Sequence, residues 1–118
     1  MGNAKKYYLY LLFFLLVTSD SGCQARPSFS FGAYSEAEHL YEKGEYPKAI
    51  EKYEEYLREN PNGNMAVISQ YYMAKSYEGM GERPKAEEIY RQITKEHPDL
   101  IWANFSKTRL EELAKGTA

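Results

Sequence analysis

A six-residue stretch occurs twice in this chain. Gly44-Glu45-Tyr46-Pro47-Lys48-Ala49 returns 37 residues later as Gly81-Glu82-Arg83-Pro84-Lys85-Ala86, and only the third position differs. Self-similarity at a period of about 20–50 residues means stacked supersecondary units, each unable to bury its apolar face alone. Setting 33–61 against 70–98 at the same offset gives eleven identities in 29 positions. Among them are Tyr34/Tyr71, Ala37/Ala74, Ala49/Ala86, Tyr53/Tyr90 and Pro61/Pro98.

The punctuation inside each unit is helical. Ala33, Ala37, Leu40 and Tyr41 recur at three- and four-residue steps and share one helix face. Gly44 and Gly81 stand where a helix must end in a left-handed residue. Pro47 and Pro84 stand where the next helix starts, a place where a missing N–H costs nothing. The pattern predicts helices from Ala33 to Gly44, Pro47 to about Glu59, Met65 to about Gly79, and Pro84 to about Glu96. Asp99 is the expected N-cap of a fifth helix, Leu100 to about Ala114. Ala103 lies 37 residues after Ala66, so this last helix imitates the opening of a third unit. Ile101, Phe105, Leu110, Leu113 and Ala114 are expected to cover the second hairpin, with Arg109, Glu111, Glu112 and Lys115 facing water. Trp102 is either a core aromatic that anchors this cap or an exposed anchor for a partner.

The small, aromatic and Pro spacing resembles the tetratricopeptide repeat, a helix–turn–helix unit of about 34 residues. It is met by Ala37, Ala49, Tyr53 and Pro61, and again by Ala74, Tyr77, Ala86, Tyr90 and Pro98. The family's early Trp is absent, with Ala33 and Gln70 in its place. The resemblance implies an all-α fold: two helical hairpins, 33–63 and 64–98, and a capping helix and tail, 99–118, as a short α-solenoid. The opening Tyr-x-x-Ala-x-x-Leu and the longer inter-hairpin turn look like periplasmic members, such as the outer-membrane assembly lipoprotein BamD and the Tol–Pal-associated cell-division coordinator. In this family the first helix of each hairpin lines a concave groove. Carried over, the groove residues are Tyr34, Glu38, Tyr41 and Glu42 from the first unit, and Tyr71, Tyr72, Lys75 and Glu78 from the second. The implied partner is a protein or peptide. The Lys/Asn clamp by which some members hold chaperone tails is missing.

The N-terminus reads as an address. Lys5-Lys6 precede an apolar run, Tyr7 to Val17. As a helix the run would span about 17 Å, against a hydrocarbon core of about 30 Å. A basic start and a short apolar stretch read as an export signal, here 1–22. Ser19-Asp20-Ser21-Gly22-Cys23 resembles the lipobox of bacterial lipoproteins, except that Asp20 replaces the usual Leu. The resemblance implies that Cys23 is lipidated and that 23–32 form a tether. With Gln24 after the Cys, it implies an outer-membrane location facing the periplasm.

Residues 23–118 carry 13 Lys and Arg against 16 Asp and Glu, a net charge of −3. Nucleic-acid binding needs a clustered basic surface, so none is expected. A single Cys rules out an internal disulfide. His39 and His97 stand alone, no Ser has a nucleophile-elbow context, and no Gly-rich loop could hold a phosphate. The carboxylate pairs Glu54-Glu55, Glu87-Glu88 and Glu111-Glu112 point about 100° apart on a helix, as solvated faces do. No enzyme activity, metal or cofactor is expected. Two hairpins fall short of the three or so repeats usual for independent stability. Modest stability, self-association or docking into a larger assembly is therefore expected.

Overall fold

The computed structural model describes residues 31–116. Five helices follow one another: α1 (Phe31–Glu42), α2 (Tyr46–Glu59), α3 (Ala66–Gly79), α4 (Arg83–Glu96) and α5 (Ile101–Ala114). The described residues contain no strand and no helix long and apolar enough to cross a membrane. The readings on Cys23, on the export signal and on the tether up to residue 30 lie outside the described residues. The helices run up and down, each packed on the next, and α3 also touches α1 and α5. The N-terminal ends of α1, α3 and α5 therefore share one pole with the turns 60–65 and 97–100.

The repeated glycines do what their positions require. Gly44 and Gly81 have φ of +74° and +77°. The Gly44 N–H donates to the Tyr41 carbonyl and the Glu45 N–H to the Leu40 carbonyl, both at 2.9 Å. Gly81 and Glu82 repeat this with Glu78 and Tyr77, again at 2.9 Å. This pair of hydrogen bonds is the Schellman ending, which satisfies carbonyls that a helix leaves orphaned. Pro47 and Pro84 then sit in the first turn of α2 and α4. Lys48 and Lys85 pair with Glu45 and Glu82 on the exposed outside of the turns.

Inside each hairpin the alanines set the spacing. Ala37, Ala49, Ala74 and Ala86 have no exposed surface, and neither do Tyr53 and Tyr90 beside them. Adding even a few methylenes at such a contact typically costs about 1–3 kcal/mol. Between hairpins a second set of small residues appears. Ile68, Tyr72 and Met73 of α3, with Met65 just before it, pack on the first hairpin, and Ser69 and Ser76 are buried on the same face. Both serines return their hydroxyls to the backbone four residues earlier, at 2.7 and 2.8 Å, so no donor is stranded. The opposite face of α3, with Tyr71, Ala74 and Tyr77, packs on α4 and α5. α3 is thus apolar on two sides, whereas α2 and α4 each bury one stripe.

α5 departs from its sequence-based description in three ways. Leu100, not Asp99, is the N-cap, in extended backbone and with no side-chain cap. The Leu100 N–H already bonds the His97 carbonyl at 3.1 Å, and this tight turn places the helix start one residue later. The covering face is Ala103, Ser106, Leu110 and Leu113, while Phe105 and Ile101 are 42% and 58% exposed and Ala114 is exposed. The small residues let α5 come close to the hairpin, which turns their larger neighbours outward. Ala103 and Ser106 repeat Ala66 and Ser69 at the 37-residue offset, so α5 uses the same inter-hairpin face as α3. Third, Arg109 is not on the wet side. Its side chain is only 22% exposed and engages Glu78.

The one position at which the hexapeptide copies differ has a packing role in both. The Tyr46 ring lies over Gly79, where a Cβ would meet it at 2.4 Å. Arg83 donates to the Leu113 carbonyl at the end of α5. Each copy uses this side chain to hold the C-terminal end of the next odd-numbered helix.

Candidate functional site

The face formed by α1, α3 and α5 carries a continuous row of rings. Tyr41 meets Tyr72 edge-on with ring centres 5.2 Å apart, and Tyr72 meets Tyr71 at 5.5 Å. Tyr71 meets Trp102 at 5.2 Å, and Trp102 meets Phe105 at 5.5 Å. All five keep some surface open to solvent. Edge-to-face pairs are worth about 0.5–1.5 kcal/mol beyond buried area, so the row is fixed before any partner arrives.

One and two turns further along α3 come the charges. Glu78 sits at the centre, its side chain 9% exposed. It accepts a hydrogen bond from the Tyr90 hydroxyl at 2.7 Å and pairs with Arg109 of α5, which also pairs with Glu112. Lys75 lies 3.8 Å away. The hydrogen bond to Glu78 pushes the Arg109 guanidinium above its ordinary range. Burial, then the bond to Glu78, pushes the Tyr90 hydroxyl up as well. Burial raises Tyr71 and Tyr41 too, Arg109 opposing it in both. Beside this network, Tyr41, Tyr46, Lys75, Arg83 and Arg109 line a shallow pocket of about 330 Å³.

The groove residues expected from sequence divide into three groups. Tyr41, Tyr71, Tyr72 and Lys75 are brought together and remain partly open. Glu78 is with them but committed to Arg109 and Tyr90. Glu38 and Glu42 are exposed on α1, and Glu38 accepts from the Tyr34 hydroxyl at 2.7 Å. Tyr34 itself is a correction: it is 4% exposed, with its ring edge-on to Tyr53 and Tyr56 inside the first hairpin. Its counterpart Tyr71 likewise meets Tyr90, but Ile93 stands where the first hairpin has Tyr56, and part of the Tyr71 ring stays open beside Trp102 and Phe105 of the third unit.

Trp102, Phe105 and Arg109 complete the site and were absent from the sequence-based groove. The signal for two of them was available, since Phe105 and Arg109 stand 37 residues after Ile68 and Tyr72. The other large pocket, about 430 Å³, lies between the turns 60–65 and 97–100, with Val67, Gln70, Leu100, Ile101 and Trp102 in its wall. Among the described residues no group of three or more His, Cys, Asp or Glu could hold a metal ion.

Repeated helical hairpins with small-residue contacts and an aromatic face define a protein of the α-solenoid repeat class. Residues 40–105 match the tetratricopeptide repeat family, and the chain belongs to it. The match marks it as a protein–protein interaction scaffold, in a family that is generally non-enzymatic. No curated protein and no solved structure matches the chain.

Proposed function

We propose that this protein is a non-enzymatic adaptor of the bacterial envelope that holds an extended protein segment across α1, α3 and α5. The observation that carries the reading is the row Tyr41–Tyr72–Tyr71–Trp102–Phe105, partly open and spanning three helices. Tyr and Trp give large contact area with few rotamers to freeze. Lys75 and Arg83 at the adjoining pocket would orient polar groups of the bound segment. Envelope anchoring is supported by the sequence alone, through Lys5-Lys6, the run to Val17 and the lipobox-like residues before Cys23. Resemblance to periplasmic members makes outer-membrane assembly, Tol–Pal or secretion complexes the settings to examine.

The test is cross-linking in intact cells from a photoreactive residue at Lys75, read by mass spectrometry, with Arg91 on the exposed face of α4 as the control position. A defined partner linked from position 75, and lost on Tyr71→Ala, is expected. Linking from 91 alone would favour the alternative, a structural subunit docked through its cap and convex face. Metabolic labelling with a palmitate analogue tests the anchor, and an unlabelled protein would remove Cys23 lipidation.

A further inference from the structure

The pocket beside the charge network gathers cations on a chain whose residues 23–118 are net acidic. Lys75, Arg83 and Arg109 line it against a single acid, Glu78, and Tyr41 joins it to the row of rings. With Glu112 counted, which meets Arg109, the cations still exceed the acids by one. The groove acids Glu38 and Glu42 are outside its wall. Glu78 does not satisfy every cation. It accepts from the Tyr90 hydroxyl at 2.7 Å, and both its oxygens meet the Arg109 guanidinium. The Lys75 ammonium stands 3.8 Å away, beyond hydrogen-bond distance, on a side chain only 28% exposed. A half-buried ammonium with no hydrogen bond to protein carries a cost that an incoming carboxylate removes.

The repeat itself shows that the scaffold does not require these cations. One unit earlier, Lys75, Arg83 and Arg109 are Glu38, Tyr46 and Tyr72. α1 nevertheless ends in the same pair of hydrogen bonds, and α2 starts after it in the same way. Arg83 and Arg109 also hold α5, but Lys75 has no such task. Nor do the helix ends leave free carbonyls that would repel an anion. Those of Tyr77 and Glu78 accept from the Glu82 and Gly81 N–H groups, and that of Leu113 accepts from Arg83 and the Gly116 N–H.

We propose that this pocket is an anion subsite for an Asp or Glu side chain of the bound segment, which rests on the aromatic row being the protein-binding face. The Lys75 ammonium pairs with the carboxylate. Arg83, with N–H groups beyond the one given to Leu113, and the hydroxyl-bearing Tyr41 and Tyr46 stand in the same wall as further donors. The rings take apolar side chains on either side. The partner is therefore an acidic stretch interspersed with apolar residues, and a basic stretch is turned away by like charge.

The full chain, purified in detergent and immobilised, is panned with random peptides displayed on phage. Each peptide is joined to the coat protein through its C-terminus, so any carboxylate selected is a side chain. Wild type is expected to select peptides that carry Asp or Glu near aromatic or aliphatic residues. The strongest is then made as a fluorescent peptide with an amidated C-terminus. Changing its acid to the corresponding amide should weaken binding about tenfold, the scale of a charge-assisted hydrogen bond. Lys75→Met should keep its helical circular dichroism, bind the acidic peptide about tenfold more weakly, and no longer tell acid from amide. Peptides selected without an excess of acid, and lost on Tyr71→Ala, would overturn the inference and leave the adaptor reading standing. Wild type binding acid and amide equally, or Lys75→Met still preferring the acid, would overturn it as well. No selected peptide, or peptides held equally by Tyr71→Ala, would remove both readings.

Discussion

The Tyr90 hydroxyl donates to Glu78 at 2.7 Å, whereas the hydroxyl of Tyr53, the same residue one repeat earlier, is buried without a partner. The difference follows from one substitution between copies. The position of Glu78 in the second unit is held by Tyr41 in the first, whose ring packs on Tyr46 and Tyr72 and offers no carboxylate. Removing the two hydroxyls should therefore have opposite effects. Tyr90→Phe should cost about 1.5–3 kcal/mol, the usual worth of a bond to a charged acceptor. Tyr53→Phe should be neutral or stabilising by up to about 1 kcal/mol, because it removes an unsatisfied buried polar group. Urea unfolding of both variants checks the pair.

Glu78 and Arg109 join α3 to α5, and each is largely removed from water. Glu78→Met alone leaves the largely desolvated guanidinium with Glu112 as its remaining partner and takes the acceptor from the Tyr90 hydroxyl. A cost of about 2–3 kcal/mol is expected, below the full penalty for a buried pair because Arg109 keeps some exposure and also meets Glu112. Changing both residues to Met should recover only the part due to the guanidinium, because the buried Tyr90 hydroxyl lacks its acceptor in either background. A double-mutant cycle on unfolding free energies gives the coupling.

At most helical sites Gly→Ala stabilises. Gly79→Ala should instead destabilise by about 1 kcal/mol, because the new methyl collides with the Tyr46 ring. In a Tyr46→Ala background the same change should turn favourable by about 0.5 kcal/mol. Melting curves of the four proteins test the sign reversal.

Alkaline pH should unfold the protein cooperatively. Tyr34, Tyr41, Tyr53, Tyr71 and Tyr90 are all held above the ordinary phenol range, burial being the largest cause in each. In the unfolded chain they ionise near 10. Above that pH the unfolded state binds fewer protons than the folded state, so stability falls as pH rises, and it is fully present below about pH 10. The share of tyrosinate absorbance that belongs to these five, out of twelve tyrosines, should appear together with the loss of helical circular dichroism. Tyrosinate formation complete before helix loss would contradict the burial of these rings.

Much of the fold was legible because its signals are local. Glycine at a left-handed helix end, proline in a first turn and alanine at every close approach are each written into a few adjacent residues. The displaced cap of α5 was not, because Asp99 has the chemistry of an N-cap and the tight turn at His97 takes the backbone past it.

Sequence alone determined the repeat, the hairpins, the helix stops and the family resemblance. Tertiary structure decided which equivalent residues are covered. Tyr34 and Tyr71 occupy the same repeat position, yet one is core and the other lies in the aromatic row. Arg109 looked like a solvent-facing cation until α5 brought it to Glu78, 31 residues away. Periodicity reports the face of a helix, a property of that segment. Burial depends on which neighbour stands against the face and on how far long side chains reach across the gap, and stacking supplies both.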